Sequence, residues 1–247
     1  MDERFLVFDV DNTITESCKE ISDEMAKTLE KLEQGIVFIS GTNITELKRM
    51  ISSKLKRKHH LLGNTGTHYV IKKENLENEI INNKLSKDEK KEIIQALKKL
   101  KEKYKLLPLT TENDQIQDRG SQITFSILGR NAPSEKKYIY DTSKDKRKKF
   151  VEYLKTILKD SYEMTIGGTT SIDITRKGID KGESLLNFIK INNTKKENTT
   201  FFGDQLEEGG NDYPVKKLGI KCIEVKNPED TIQILKKFIK NKNSMLK

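Results

Sequence analysis

A short apolar run that ends in an acidic turn is the feature that most constrains the fold of this chain. Residues 5–8 are apolar, Asp9 follows them directly, and after a turn a helical pattern covers residues 21–32. A second apolar run follows at residues 36–39. This alternation of buried strands and helices predicts an α/β protein with a parallel sheet.

The pattern changes in the middle of the chain. Ser86 and Glu89 form a capping-box sequence before a long amphipathic helix. Alternating apolar and polar residues then predict antiparallel strands, which we place at residues 122–128, 163–166 and 171–174. After Lys181 a helix leads into predicted strands at residues 199–202 and 221–225, and a closing helix begins after Pro228.

These changes of pattern predict a core that is split by an insertion. We assign residues 1–83 and 179–247 to the core, and residues 84–178 to an inserted α+β domain. Residues 72–83 are polar and fit either a linker or a hairpin.

The formal net charge of +9 comes mainly from lysine-rich runs, which we interpret as solvated helix faces at residues 54–60, 98–105 and 144–149. Basic charge alone gives only non-specific binding to nucleic acid, and the chain has no tryptophan and no aromatic run beside these lysines. The sequence therefore disfavours a nucleic-acid partner.

Cys18 and Cys222 are far apart and have no metal-ligand spacing, so a reducing compartment is the simplest inference. No signal-peptide pattern and no apolar stretch of membrane-spanning length is present, so we expect a cytoplasmic protein without a membrane partner.

Two aspartates at the end of the first predicted strand carry the clearest chemical signal. Asp9 is placed to attack a phosphorus atom, and Asp11 to protonate the leaving oxygen and then activate the second acceptor. Open parallel sheets bind ligands at this edge. A pair of turn-forming aspartates with no catalytic role is the alternative for this segment alone.

Further polar residues are predicted to reach the same sheet edge. Asp204 follows a later strand, and Asn211 and Asp212 come shortly after it, so these oxygens with Asp9 can form a Mg²⁺ site. Ser40 can donate a hydrogen bond to a transferring phosphoryl group, and Lys181 can neutralise its charge and restrain Asp9.

These segments resemble the four motifs of the haloacid dehalogenase (HAD) superfamily. The matching segments are DVDNT from Asp9, the residues around Ser40, GIDKG around Lys181, and GDQLEEGGND from Gly203. The resemblance implies a Rossmann-like core with a parallel sheet, and the insertion resembles the α/β cap of subfamily IIB, the Cof-like and phosphomannomutase-like branch. Such a cap is expected to close over the substrate.

Within that branch the chain is most similar to the eukaryotic-type phosphomannomutases over nearly its whole length, in segments such as RGSQITFSILGR and GGTTSIDITRKGIDK. The resemblance implies that a sugar phosphate is contacted from the cap by Arg119, Arg130, Ser171 and Asp173. It also implies that Asp9, Asp204 and the backbone carbonyl of Asp11 hold Mg²⁺, and that Asp212 and Asn211 support the metal or Lys181.

Two departures shift the predicted activity. Cys18 and Lys137 stand where this family has arginines, and neither can form the two-pronged phosphate contact of a guanidinium, although Lys137 still offers charge to the substrate. We therefore predict a Mg²⁺-dependent phosphatase that acts on a small phosphorylated metabolite, and specifically a sugar phosphate. The alternatives are a phosphomannomutase and a non-catalytic, nucleic-acid-binding relative.

The oligomeric state stays open at this point. The resemblance implies a homodimer through the cap, but the apolar residues of this cap can equally form its own core.

Overall fold

The computed structural model describes residues 3–245, with side chains up to residue 240. The chain divides into two compact units, a core unit (Met1–Asn82 and Asp180–Lys247) and an inserted unit (Asn83–Ile179). Among the residues described, no helix is both long enough and apolar enough to cross a bilayer.

The core unit alternates strands with helices. Its strands are β1 (Phe5–Phe8), β2 (Gly35–Ile39), β3 (His59–Gly63), β4 (His68–Lys73), β5 (Leu76–Asn82), β10 (Thr199–Gly203) and β11 (Lys221–Glu224). Its helices are α1 (Asp23–Glu30), α2 (Ile44–Leu47), α6 (Lys181–Ile191), α7 (Tyr213–Lys217) and α8 (Pro228–Met245). A π-helical turn, Lys48–Ser52, continues α2.

The inserted unit is built from helices packed on one sheet. Its helices are α3 (Lys87–Tyr104), α4 (Ser134–Tyr140) and α5 (Asp145–Lys155). Its strands are β6 (Ile116–Asp118), β7 (Ile123–Ser126), β8 (Tyr162–Gly167) and β9 (Ser171–Arg176). The predicted α/β core with an inserted α+β unit is confirmed.

The sheet of the core unit has the strand order β11-β10-β1-β2-β3-β4-β5. The strands from β11 to β3 pair in parallel, and β4 and β5 extend the sheet as an antiparallel hairpin. The polar segment that fitted a linker or a hairpin therefore belongs to a hairpin. Because β1, β2 and β10 are parallel neighbours, the residues that follow them lie at one edge of the sheet.

Apolar residues that alternate along β1 hold the helices on both faces of this sheet. Phe8 packs with the cluster that includes Phe202 and Met25 of α1. Phe5 packs on the opposite face with Phe188 of α6, and the two ring centroids are 5.0 Å apart. Burial of one such side chain contributes roughly 1.5–3 kcal/mol, so the two clusters fix the sheet edge that carries the acidic residues.

The sheet of the inserted unit has one apolar and one polar face. Its strand order is β6-β7-β9-β8, and all of its pairs are antiparallel. Phe125 and Ile172 are opposite each other and pack in the apolar cluster that contains residues of α3 and α5. Thr124 and Asp173 are also opposite each other, on the other face. Strand alternation thus separates a core face from a polar face.

Two of the basic runs are not the solvated helix faces that we predicted. Residues 54–58 form turns and loop, and His59 and His60 are buried in β3. In the run at residues 144–149, Arg147 is 2% exposed, and its Nε donates to Asp141 Oδ2 at 2.8 Å. A buried guanidinium requires such a partner, and sequence patterning does not reveal where the partner lies.

The N-terminus of α3 is fastened by its capping box and by an arginine from β9. Ser86 caps the helix, and the Glu89 carboxylate accepts a hydrogen bond from the Ser86 N–H. Arg176 binds the same carboxylate through Nε and Nη2, each at 2.7 Å. These hydrogen bonds, with that of Arg176 the strongest, lower the pKa of Glu89 from 4.5 to about 2.

We predict that Glu89→Gln lowers the free energy of unfolding by about 1 kcal/mol at pH 7, after allowance for solvent screening of a partly exposed pair. Because the folded-state pKa of Glu89 lies below its unfolded value, the stabilisation is present above about pH 4.5 and is lost as the pH falls towards 2. Urea denaturation at pH 7 and pH 3 should therefore show a difference between variant and wild type that shrinks at pH 3.

The matched control is Glu152→Gln, which removes an exposed carboxylate paired with Lys155 on α5. It should leave the unfolding curve unchanged at both pH values. A Glu89→Gln deficit of equal size at pH 3 would contradict a role for the ionised carboxylate.

Candidate active site

Three carboxylates meet at the edge of the core sheet. Asp9 follows β1, Asp204 follows β10, and Asp212 lies just before α7; one oxygen from each lies within 4.8 Å of the others. Gly203 permits this approach, since a Cβ atom there would be 2.3 Å from Asp212 Oδ2. The Asp212 side chain also accepts the Gln205 N–H at 3.1 Å, which fixes its orientation.

A buried ammonium group ties two of these carboxylates together. Lys181 is the first residue of α6, whose N-cap is Asp180. Its Nζ donates to Asp9 Oδ1 at 2.5 Å and to Asp212 Oδ1 at 2.6 Å. Burial by itself would lower the pKa of Lys181, but the two carboxylates outweigh burial and raise it. Lys181 is therefore a fixed positive charge beside Asp9.

Asp9 is held from several directions. Its N–H donates to the carbonyl of Phe202, and its Oδ2 accepts a hydrogen bond from Thr13 Oγ1 at 3.1 Å. The Thr13 carbonyl in turn accepts a hydrogen bond from the Thr231 hydroxyl at 2.6 Å. Sequence reasoning placed Thr13 in the motif but gave it no role; its position four residues after Asp9, inside the turn, is the signal that was available.

The local electric field favours a cation beside these residues. Burial raises the pKa of Asp9 to about 7, Lys181 opposes that rise, and Asp212 adds to it. Burial, followed by the charge of Asp212, also raises the pKa of Asp204. Three carboxylates face one ammonium group, and the buried Asp204 Oδ1 has no hydrogen-bond partner among the described residues. These residues therefore fit a hard divalent cation such as Mg²⁺.

The remaining predicted core residues are placed differently. Asp11 is half-buried, and its Oδ1 accepts the Cys18 N–H at 2.8 Å, so its carboxylate is not part of the three-carboxylate group. Asn12 has φ 60°, the left-handed turn expected of it. Ser40 is buried beyond β2, and its Oγ accepts the Thr42 N–H at 3.0 Å, so its proton can be donated elsewhere. Asn211 is exposed.

In the inserted unit, some of the predicted substrate residues share the polar sheet face. Asp173 Oδ1 accepts a hydrogen bond from Thr124 Oγ1 at 2.6 Å, and Ser171 Oγ is 3.4 Å from Ser126 Oγ. Burial raises the pKa of Asp173, whereas the Thr124 hydrogen bond and the Arg119 charge lower it. Thr124 and Ser126 were not predicted, although their alternation with Ile123 and Phe125 places them on this face.

Arg130 and Lys137 form a separate basic pair at α4. The Lys137 Nζ donates to the backbone carbonyl of Arg130, whose side chain is exposed. Asp114 lies near both, since their charges contribute to lowering its pKa after the hydrogen bonds from Asn131 and Thr110. In the inserted unit, Ser171 and Asp173 thus lie on β9, Arg119 follows β6, Arg130 precedes α4 and Lys137 lies on α4.

Solved structures share this fold. Plasmodium falciparum IMP-nucleotidase superposes with a TM-score of 0.70 at 18% identity over 97% of this chain, which spans 62% of that protein. TM0651 from Thermotoga maritima gives a TM-score of 0.64 at 19% identity, with 95% of this chain and 97% of that one covered. The chain therefore has the HAD fold, a Rossmann-like core with a cap.

Sequence relatives define the class and then the family. Phosphomannomutases from Encephalitozoon cuniculi and Saccharomyces cerevisiae are 30% and 31% identical to this chain, over 97% and 94% of it and 94% and 93% of their own lengths. With the HAD fold, this similarity makes the chain a phosphoryl-transfer enzyme. A model of the eukaryotic phosphomannomutase family matches residues 23–241. The chain belongs to that family, and the predicted resemblance to the HAD superfamily and its phosphomannomutase branch is confirmed.

We predict that MgCl2 raises the thermal unfolding midpoint of the wild-type protein and that Asp204→Asn abolishes this shift. A ligand that binds only the folded state at 100 times its dissociation constant adds about 2.7 kcal/mol of stability. The variant should not lower the midpoint without MgCl2, since it removes a carboxylate that Asp212 repels and keeps an oxygen for the remaining hydrogen bonds. Differential scanning calorimetry measures both midpoints.

Asp160→Asn is the control, because it removes an aspartate that is 96% exposed and paired with Lys177 in the inserted unit. It should keep the full MgCl2 shift. An equal shift in Asp204→Asn would contradict a metal site at these carboxylates.

Proposed function

We propose that this protein is a Mg²⁺-dependent phosphomannomutase, which moves a phosphoryl group between the 1- and 6-positions of a hexose through an aspartyl-phosphate on Asp9. The observation that supports this proposal most directly is the contact of Lys181 with Asp9 in the three-carboxylate cluster, in a chain of the eukaryotic phosphomannomutase family. Family membership favours the mutase over the phosphatase predicted from Cys18 and Lys137.

In the first half-reaction an Asp9 oxygen attacks phosphorus, and the bond between phosphorus and the sugar oxygen breaks. Asp11 gives its proton to that departing oxygen. Lys181 contacts Asp9 at 2.5 Å and favours its ionised form against the effect of burial, and Thr13 orients the other carboxylate oxygen. Ser40 has a proton free to donate to a phosphoryl oxygen.

In the second half-reaction a sugar hydroxyl attacks the aspartyl-phosphate and gives its proton to Asp11. The bond between phosphorus and Asp9 breaks, and the Asp9 carboxylate is restored. Asp11 then holds the proton needed for the next turnover. Its contact with the Cys18 N–H leaves the second carboxylate oxygen to carry that proton.

Asp9, Asp204 and the Asp11 carbonyl would hold Mg²⁺, with Asp212 and Asn211 in support. When bound, the ion supplies positive charge that orients the phosphate and offsets its negative charge. We further propose that the inserted unit binds the sugar phosphate through Arg119, Arg130, Lys137, Ser171 and Asp173.

Hydrolysis is the second candidate, and the observation that favours it is the loss of two expected arginines. Cys18 carries no charge, and Lys137 lacks the planar fork that holds phosphate at two points. A weaker grip on a bisphosphate intermediate would let water reach the aspartyl-phosphate. Mutase and phosphatase therefore differ only in the acceptor of the second half-reaction.

The decisive experiment incubates the enzyme with MgCl2 and mannose 1-phosphate, with and without glucose 1,6-bisphosphate, and measures mannose 6-phosphate and free phosphate together. We expect bisphosphate-dependent formation of the 6-phosphate with little free phosphate. Asp9→Asn should lose the activity, and Asp11→Asn should slow it by about 10²–10⁴-fold because a proton donor is removed. The Asp160→Asn control should retain wild-type rates.

Other outcomes separate the alternatives. Stoichiometric free phosphate that requires Asp9 would assign the phosphatase activity. Absence of both products across a panel of sugar phosphates, together with a salt-sensitive shift on nucleic acid, would favour the non-catalytic alternative.

Cys18 and Cys222 are free thiols, which supports our placement of the protein in the reducing cytoplasm.

We also propose a homodimer through the inserted unit. The edge strand β6 borders a cavity of about 840 Å³, lined in part by Ile94, Leu106 and Leu107. Leu107 is 75% exposed and Leu109 is 54% exposed. A two-fold contact can pair the lysines of one copy with the glutamates of the other. The charged residues that line the cavity are Lys98, Lys101, Lys105, Glu102 and Glu112.

We predict that Leu107→Glu converts a dimer into a monomer, because it places a charge in an apolar contact. Light scattering coupled to size-exclusion chromatography gives the mass. The control Leu76→Glu alters an equally exposed leucine of the β5 hairpin, where exposure is 73%, and should leave the mass unchanged. A wild-type protein that is monomeric at all concentrations would overturn the proposal.

A further inference from the structure

The guanidinium of Arg49 contacts the loop that follows Asp11. Arg49 lies in the π-helical turn after α2, and its Nη2 donates to the backbone carbonyl of Cys18 at 2.9 Å. Its Nε donates to Glu46 at 3.0 Å. The side chain is 45% exposed, so a ligand in solvent can reach it.

Cys18 links this guanidinium to the proposed acid. It has φ 62°, and its N–H donates to Asp11 Oδ1 at 2.8 Å while its carbonyl accepts from Arg49. The Ile21 N–H also donates to the Met50 carbonyl at 2.9 Å, so the loop is fastened twice to the turn that carries Arg49. These contacts, with standard backbone dimensions, bring Arg49 Nη2 within about 10 Å of the Asp11 carboxylate.

That separation lets one phosphorylated sugar touch both residues. The neighbouring cations are engaged with exposed carboxylates: Lys19 pairs with Glu16, and Lys48 pairs with Glu77. Arg49 has five N–H donors, and the contacts with Cys18 and Glu46 use two of them. A phosphate can therefore be bound without breaking the contact with the loop.

We propose that Arg49 binds the non-reacting phosphate of the substrate in the core unit, and so supplies from a different element the guanidinium that is absent at Cys18. The inference rests on the proposed function, since it assumes a phosphorylated sugar whose reacting end lies at Asp9 and Asp11. It restores part of the grip on a bisphosphate that a cysteine at position 18 removes. A guanidinium suits this role because it can donate two parallel hydrogen bonds to phosphate.

The test is Arg49→Gln, whose amide can still donate to the Cys18 carbonyl but carries no charge. Loss of a charge-assisted contact made in ground and transition states should raise KM for mannose 1-phosphate and for glucose 1,6-bisphosphate by about 10- to 100-fold and change kcat little. Lys48→Gln is the matched control. It removes the same charge from the neighbouring position, where the lysine is paired with Glu77. Its KM should equal that of the wild type.

A rescue variant separates phosphate binding from a structural role. Cys18→Arg in the Arg49→Gln background returns a guanidinium to the same loop, and should restore KM to near the wild-type value. An unchanged KM in Arg49→Gln would overturn the proposal. So would a loss of kcat and thermal stability that Cys18→Arg does not rescue, because Arg49 would then only fasten the loop.

Binding measurements keep this proposal separate from the proposed function. Calorimetric titration of wild-type and Arg49→Gln protein with glucose 1,6-bisphosphate needs no turnover. An enzyme without mutase or phosphatase activity would refute the proposed function, while weaker bisphosphate binding by Arg49→Gln would still support Arg49 as a phosphate ligand. Equal binding by both proteins would overturn the Arg49 proposal whatever the activity.

Discussion

The contact of one buried ammonium group with two buried carboxylates organises the core of this enzyme. Lys181 begins α6, Asp9 ends β1, and Asp212 precedes α7, so the ion pairs join three separate segments at one sheet edge. None of these charges is stable in the interior alone, since removing one partner of a buried pair typically costs 3–5 kcal/mol. The apolar clusters on both faces of the sheet bring the strands into register, and the ion pairs then fix the position of Asp9.

The remaining excess of negative charge at this sheet edge favours a bound cation. Asp204 adds a third carboxylate with a buried oxygen that lacks a hydrogen-bond partner in the described part of the chain. A cluster of this kind is costly without a cation and favourable around one, which is the charge arrangement that the proposed Mg²⁺ site requires. In the inserted unit, the polar sheet face and the basic pair at α4 offer neutral donors and positive charges, and on these our proposed sugar-phosphate site rests.

Family membership favours a mutase, whereas the substitutions at positions 18 and 137 favour a phosphatase. The chain belongs to the eukaryotic phosphomannomutases, yet it lacks arginines at Cys18 and Lys137. Arg49 shows why the absence of one residue at one position is a weak argument about binding. What a phosphate ligand requires is the position of the guanidinium nitrogens, and a residue outside the loop can place them there. Arg49 lies in a neighbouring helical turn and contacts the Cys18 loop.

Local pattern was enough to predict the α/β fold class, strands such as β1 and β10, the capping box at Ser86 and the acidic residues of the sheet edge. These features depend on residue periodicity and turn chemistry, which act over a few neighbours. Only the tertiary structure decided that the polar residues after β4 form a hairpin, that Arg147 is buried against Asp141, and that Arg49 contacts Cys18. Each of these depends on packing between segments that are separated along the chain or on the pairing of a charge with a particular partner, and neither is encoded in the spacing of residues along one segment.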